Sequence, residues 1–552
     1  MLEYIKQKEK EIAKFIIIYL SAAAVFLPLA SKEVTNPDGL SSVYSKSTDD
    51  LWELALGRFG LKIIDHAREG ILNPAVETLI SCVFLTFSIL LVYRILNKDK
   101  KSNLSLAVYS VFMILSQTVV SMMTYYYCSV EYFFAMFIAI GVTYLVVKRY
   151  ENTLNGKKYN IGSEIAHIIL CGFLLSCSLS IYQAYIPLYL TLAAMYLLLQ
   201  ICRNFGSAEL SWKKCLVFIG KVLLICIVGV ILYLTETSIV NAHFETALTA
   251  GRNMDTMGKM SLSILVSKSK EAYIFFYQYF FSNDKVNNTV MHRARTNQVI
   301  IAFILFAILY AIYLGLRKNK TGKERIWHLC LTVLIVIALP LLMTSIIVMA
   351  PGVSIYDTTG ILMIPAMILL YILGYELCLL HGEEIYANHK EKFKQVLSIK
   401  KGIVAINLLA LFYASLILVS VDAAFWSYAN FMKNKTTTYA TRIVSVADNS
   451  GYDITAQPLL IVGNTNDIPD IEFYLKDIVK GTTAYYGQFW GTKMDAGCWT
   501  DFINRYLGVT VSPAGTSEEE KITNSKAFSD MPVFPEQGSM KMIDGILVVK
   551  LK

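Results

Sequence analysis

Residues 215–234 read CLVFIGKVLLICIVGVILYL, a run in which Lys221 is the only charge. Twenty residues wound as a helix rise about 30 Å, the thickness of a bilayer's hydrocarbon core. Outward from this stretch the same pattern recurs, at 13–30, 76–96, 104–121, 132–147, 165–181, 184–201, 298–316, 327–349, 361–380 and 402–421. The composition agrees: 55% of the 552 residues are hydrophobic and 17% charged, against about 25% charged in soluble domains. A water-soluble globule, a disordered chain and a disulfide scaffold are excluded. The expected fold is mostly α, a polytopic transmembrane helical bundle of about eleven spans.

The formal net charge is +8. It is no nucleic-acid signal, because the Lys and Arg lie between apolar runs and order the topology instead. With a cytoplasmic N-terminus, the inner connections hold Arg94 to Lys101, Lys148-Arg149 with Lys157-Lys158, Lys213-Lys214, Arg317 to Arg325 and Lys390 to Lys401. The short outer connections near 122–131, 180–183 and 350–360 hold neither Lys nor Arg. The first run is read as an anchor, with no small-x-small cleavage site behind it. Seven of the ten cysteines (Cys82, Cys171, Cys177, Cys202, Cys215, Cys226, Cys330) sit in or beside apolar runs, at spacings that suit neither metal nor disulfide chemistry.

Two domains are expected: 1–421, with outer loops 31–75 and 235–297, and an extracytoplasmic α/β domain at 422–552. Within the latter, Pro458–Gly463 and Gly545–Lys550 read as strands, and Asp470–Lys480 and Cys498–Leu507 as helices. The apolar runs contain few ionisable groups: Lys221, His167, Glu164 and Glu376, all read as interfacial or snorkelling. A proton-coupled transporter would hold carboxylates at mid-membrane.

The polar residues gather after the first run. Asn36-Pro37-Asp38-Gly39 is turn chemistry that holds a carboxylate about eight residues past the membrane, unless it is a plain Asx-turn. Thr48 or Asp49 caps a helix in which Trp52, Leu56, Phe59 and Ile63 share one face and Asp50, Glu53, Gly57, Arg58 and Asp65 the other. That is an interfacial helix presenting acids and Arg58 to water, or an ordinary amphipathic helix with solvated charges. The connection 235–297 adds His243, Glu245, Arg252, Asp255, Lys268, Lys270 and, just before the next run, Arg293 and Arg295. Arginine forks match phosphate oxygens in pairs, so these cations suit a lipid-linked phosphate or lipid headgroups in general.

A sugar on a polyprenyl phosphate has a leaving group that departs unprotonated. Its transfer to a hydroxyl needs one base, cations at the phosphate and polar support for the sugar. No cofactor is called for and no metal site is read, although Asp49-Asp50 could hold a divalent ion through oxygens. The alternative is a non-enzymatic lipid-linked glycan flippase or other transporter.

At these residues the chain resembles the bacterial membrane glucosyltransferases of the O-antigen-modifying, serotype-converting type, within the GT-C superfamily. The resemblance rests on Asn36-Pro37-Asp38-Gly39-Leu40, on Asp50-x-x-Glu53 leading into Leu56-Gly57-Arg58-Phe59-Gly60, on Tyr182-Gln183-Ala184 and on the tail Gly545–Lys550. Phe59 stands where the family often has Trp, and Asp49-Asp50 with Asp38 upstream leaves the base open between Asp38, ranked first, and Asp50. The resemblance implies inverting transfer of glucose from undecaprenyl-phosphate glucose to a cell-surface glycan, at the outer face of the bacterial cytoplasmic membrane. It assigns Arg58, Arg293 and Arg295 to the donor phosphate and Glu53, Asp49, Tyr182 and Gln183 to sugar or acceptor. For Tyr182-Gln183 a helix-junction hydrogen bond is the competing reading.

Overall fold

The computed structural model describes residues 2–33, 51–67, 72–97, 102–250, 253–259, 261–281, 322–352, 369–388, 393–464 and 496–552, with 305, 308–309 and 312–313. Helices α1 (Leu2–Ala30), α2 (Trp52–Ala55), α3 (Phe59–Ala67), α4 (Pro74–Leu96), α5 (Asn103–Ile114) and α6 (Gln117–Met122) come first. Then follow α7 (Ser129–Leu154), α8 (Ile161–Ile181), α9 (Tyr185–Arg203), α10 (Trp212–His243), α11 (Leu262–Phe281), α12 (Gly322–Met343) and α13 (Ile346–Met349). Last in the helical part come α14 (Leu369–Asn388) and α15 (Phe393–Asn449). Among the described residues seven of these, α1, α4, α7, α8, α9, α10 and α12, contain stretches long and apolar enough to cross a membrane. The chain is a polytopic helical bundle.

Local chemistry sets the helix ends. Pro74 opens α4, and the Asn73 carboxamide oxygen accepts from the amides of Ala75 (3.0 Å) and Val76 (3.2 Å), while Asn160 caps α8 through Ser163 N at 2.7 Å. α9 is wrapped by its neighbours and buried almost all round. By contrast α10 turns Val217, Leu224, Ile227 and Ile231 outward and keeps Phe218, Val222, Ile225 and Tyr233 inside. An apolar outer face of this kind is what lipid requires.

Three expectations need correction. The run 104–121 is not one helix: α5 is only 12 residues long, and Ser116 starts α6 by accepting from Val119 N at 3.2 Å. A capping serine that satisfies the next helix's amides ends the preceding one. Second, 235–297 is not simply a loop. α10 runs on to His243, and α11 lies along α12, where the Tyr273 hydroxyl donates to Ile337 O at 2.6 Å. Third, Glu376 does not snorkel: it lies level with the helix ends at Asn97 and Arg203, as its place at the edge of a run implies, but it is turned inward and paired. It is buried at 3% exposure in contact with Arg203 (3.2 Å), and it accepts from Asn97 Nδ2 (2.8 Å) and Tyr109 Oη (2.7 Å). Of the remaining runs, most of 298–316 and the start of 361–380 lie outside the described residues, and 402–421 falls within α15.

Arg203 also donates to the last carbonyls of α4, at Leu96 O (2.7 Å), so this network ties α4, α5, α9 and α14. A buried charge left without its partner costs about 3–5 kcal/mol. Glu376→Leu is therefore expected to lower the thermal midpoint of the detergent-solubilised protein, and adding Arg203→Met should recover most of that loss. An unchanged midpoint in the single variant would contradict the network's structural role.

Among the described residues, the helix ends that flank the Lys/Arg-rich connections share one end of the bundle. There Arg94 meets Glu11 (2.8 Å), Gly206 N meets His328 Nδ1 (2.9 Å) and Trp212 N meets Glu324 (3.1 Å). The junctions 31–33, 56–58, 182–184 and the turn before α7 gather at the opposite end. α15 is 57 residues long, about 85 Å at 1.5 Å per residue, and the expected domain boundary between 421 and 422 falls inside it. Its last turns, through Tyr439, Ile443 and Ala447, pack against a small sheet.

That sheet contains β1 (Pro458–Val462), β2 (Ser512–Pro513), β3 (Met540–Ile543) and β4 (Ile546–Lys550) in the order β2-β1-β4-β3. β1 is parallel to β2 and β4, and β3–β4 is a hairpin turned by Asp544 (φ 51°) and Gly545 (φ 80°). α16 (Ala496–Leu507) covers it with Trp499, Phe502 and Ile503. The two strands and the 498–507 helix read from the sequence are present, and the helix read at 470–480 lies outside the described residues.

Candidate functional site

The expected amphipathic helix from Thr48 onward is broken, because α2 stops after one turn. Gly57 takes φ 72°, its amide bonding Leu54 O (2.9 Å) and that of Arg58 bonding Glu53 O (2.8 Å). This reciprocal pair is a helix C-cap built on a left-handed glycine. The break reverses the fate of Arg58. It does not face water with the acids of an intact helix; it is turned into the bundle.

Three polar groups latch the break from the other side. α8 ends at Ile181 and α9 begins at Tyr185, leaving Tyr182-Gln183-Ala184 as an irregular junction. From it the Gln183 amide nitrogen reaches Leu56 O (2.9 Å), Gly57 O (3.1 Å) and Tyr233 Oη (2.8 Å). Tyr233, on α10, donates to Gly57 O at 2.9 Å and stacks on Phe59, ring centroids 6.4 Å apart. Thr249 N adds a bond to Ala55 O at 2.9 Å. Gln183 thus directs its amide nitrogen at the turn's carbonyls and at Tyr233 Oη, a hydrogen bond at the helix junction.

Gly60 serves a different need. A Cβ there would stand 2.3 Å from Ser180 Oγ and 3.1 Å from the Ser180 carbonyl carbon, so α3 can lie this close to the end of α8 only without a side chain. Gly57 and Gly60 bracket Arg58, and both ends of its short segment are pinned.

The Arg58 guanidinium lies 5.0 Å from the centroid of the Tyr182 ring, and its Nη1 donates to Tyr132 Oη at 3.3 Å. Tyr132 is held by Tyr185, whose hydroxyl donates to Tyr132 O at 2.7 Å, and its ring meets that of Tyr182 at 4.6 Å. Among the described residues Arg58 Nε is buried with no hydrogen-bond partner. Burial works against the charge, but Tyr132, Glu53, Tyr182 and Tyr127 hold the pKa above the usual arginine value. Burial pushes the Tyr182 hydroxyl up to about 12, so it remains a neutral wall at any physiological pH. A permanent cation held against aromatic faces and partly shielded from solvent attracts an anion more strongly than it would in bulk water.

Of the residues singled out in the sequence, Arg58, Glu53, Tyr182 and Gln183 come together here. Asp38, Asp49, Asp50, Arg293 and Arg295 lie outside the described residues, as does Arg252. The sequence reading missed Tyr132, Tyr233 and Glu131. Tyr132 and Tyr233 each mark the same end of an apolar run, the place for a hydroxyl with an apolar body. Glu131, fully buried, is the only acid in the connection 122–131 and adds negative charge beside Cys128, as do Glu53 and, with opposite sign, Arg58. A lone carboxylate in a connection without cations is the signal that could have found it.

Compared with known proteins, residues 36–370, more than half of the chain, match the model of the family described as Glucosyl transferase GtrII. Neither the curated proteins nor the solved structures gave a match.

Proposed function

This chain belongs to the Glucosyl transferase GtrII family, and from that premise we propose that it moves glucose from a polyprenyl-phosphate carrier to a hydroxyl of a cell-surface glycan, with inversion. The family is the one the motifs around Asp38, Arg58 and Gln183 resemble, and a glucosyltransferase displaces the flippase and transporter alternative. The observation that carries the finer reading is Arg58: a fixed, charged fork in an aromatic pocket at the end of the bundle opposite the Lys/Arg-rich connections. The distribution of Lys and Arg supports taking that end as the outer face of the cytoplasmic membrane. The C-terminal domain, which docks at this end, is then extracytoplasmic.

In the proposed reaction the acceptor hydroxyl gives its proton to a carboxylate of the first outer segment, Asp38 ahead of Asp50. The acceptor oxygen bonds the anomeric carbon from the face opposite the phosphate. The carbon–phosphate-oxygen bond breaks, and the electron pair leaves with the polyprenyl phosphate. Arg58, joined by Arg293 and Arg295, takes up the charge that develops there. Glu53, Asp49 and Tyr182 border the sugar or acceptor. No resident cofactor is needed, since the leaving phosphate requires no proton.

The test is transfer of labelled glucose from a polyprenyl-phosphate donor by the full chain in lipid. Losing a general base costs about 10²–10⁴-fold in rate. Asp38→Asn is expected to fall by that amount with membrane insertion intact, while Asp50→Asn loses less. Reversed effects would move the base to Asp50. Near-normal turnover in both variants would remove it from this segment altogether.

A further inference from the structure

A second group of cations is buried where the C-terminal part meets the bundle. α1 ends at Ala30, and the chain leaves it through Ser31, Lys32 and Glu33, with Glu33 N on Ala30 O at 3.0 Å. On α16 the Tyr506 hydroxyl donates to Glu33 O at 2.9 Å, and the Arg505 guanidinium stands 3.5 Å from the Glu33 carboxylate. On α15 the Lys433 ammonium donates to Lys32 O. Both cations lie against one ring: Lys433 Nζ is 4.3 Å and Arg505 Cζ 5.6 Å from the Tyr506 centroid. Tyr126, from the turn before α7, is buried beside them. The groups around Arg58 are different ones, Tyr132, Tyr182, Glu53 and Tyr127.

The charges in this cluster do not balance. Among the described residues the ionised groups that act on Lys433 are Arg505 and Glu33, two cations against one carboxylate. That carboxylate is turned toward water, 45% exposed against 8% for Arg505. At 3.5 Å the ion pair is also open, since a charged N–H···O bond closes to about 2.7–2.9 Å. Arg505 Nη1 is buried and has no hydrogen-bond partner among the described residues. Burial pushes the Lys433 pKa below the usual lysine value; Glu33 opposes that shift and Arg505 adds to it. A buried guanidinium with an idle N–H is costly unless a further acceptor meets it. One added negative charge neutralises the cluster, and a planar fork beside an ammonium suits the oxygens of a phosphate.

The cluster lies just beyond the apolar layer. The apolar stretch of α1 ends at Pro28, and Phe26 there meets the Trp426 ring of α15, centroids 6.3 Å apart. Tryptophan favours the boundary between acyl chains and headgroups. Lys433 is two helical turns past Trp426, about 10 Å farther along α15. Its ammonium, reaching back to Lys32 O, stands at headgroup level. We propose that Arg505 and Lys433, held against the Tyr506 ring, form an anion site for the phosphate of a lipid headgroup, separate from the Arg58 pocket. The bound headgroup then joins α1, α15 and α16, and Glu33 stays on the water side as the phosphate takes the Arg505 fork.

The experiment places the full chain in nanodiscs of phosphatidylcholine, with or without phosphatidylglycerol, and adds inorganic phosphate to lipid-neutral discs as a separate arm. The thermal midpoint and the lipid retained in native mass spectrometry are read. The wild type is expected to melt higher with phosphatidylglycerol and to retain it, because a ligand that binds the folded state stabilises it. Arg505→Gln and Lys433→Gln should each weaken retention about 10-fold or more, the scale of one charged hydrogen bond. Arg442→Gln, an exposed α15 cation outside the cluster, should match the wild type. Glu33→Gln removes the competing carboxylate and should tighten retention several-fold, whereas a plain Arg505–Glu33 ion pair predicts only lost stability. Wild-type retention in both cation variants overturns the proposal. So does unchanged or weaker retention in Glu33→Gln, a result that stands even where Arg505→Gln fails to fold. An equal shift from inorganic phosphate alone, lost in the same cation variants, upholds the phosphate site and overturns its lipid source.

Discussion

Arg58→Ala is expected to reduce kcat/KM for the polyprenyl-phosphate donor by about 10³-fold, the scale seen when a cation or donor aimed at developing charge is removed from a closed site. The physical reason is the setting. A guanidinium in water competes with solvent for every phosphate oxygen. Arg58 instead stands against the Tyr182 ring with one N–H on Tyr132 Oη, and its position is set before substrate arrives. No reorganisation is then needed when the phosphate gathers charge. Arg58→Lys separates charge from geometry. It retains a cation but loses the planar fork and the stacking, so a loss of roughly 10–100-fold is expected, as for one or two charged hydrogen bonds. Steady-state kinetics on both variants checks this. Equal and small effects on the two would show that Arg58 does not meet the donor phosphate.

Gly57→Ala should be nearly as damaging although it adds one methyl group and removes no chemistry. The backbone there has φ 72°, which costs an L-residue about 1–2 kcal/mol. The new Cβ would stand 2.5 Å from Tyr233 Oη and 3.2 Å from Gln183 Nε2, the two groups that hold the turn. Overpacking of this sort adds roughly 1–3 kcal/mol. The structure can relieve it only by releasing the latch, which frees the residue next to Arg58. A fall in rate of about 10² is expected even in the fraction that folds. Gly141→Ala, a helix position with open space at the Cβ, is the matched control and should behave as wild type. Measuring both against protein yield and thermal midpoint decides the matter. Equal activity of the two variants would mean that the turn does not set Arg58.

The correct and incorrect expectations divide along a physical line. Helix 215–234, the strand pair 458–463 and 545–550, and the motif Leu56-Gly57-Arg58-Phe59-Gly60 were legible, because each is a local pattern: length against bilayer thickness, β-type runs between turn formers, glycines beside an arginine. The fate of Arg58 was not. A helical wheel drawn through residues 48–65 assumes an unbroken helix and passes over Gly57, itself a local stop signal. What no local pattern shows is the brace: Gln183, 126 residues away, bonds the turn's carbonyls. The inward pairing of Glu376 was likewise not local: in sequence it is an acid near the edge of an apolar run, and only α9 brings Arg203 against it.

From its own order of residues, then, the chain determined that it lies in a membrane, which connections share an end, and which arginine and acids to inspect, since hydropathy and charge spacing act on each segment alone. Tertiary contact decided that Arg58 points inward, that Gln183 is a brace, and that the C-terminal domain grips Glu33, because each depends on partners more than a hundred residues distant whose approach no local pattern encodes.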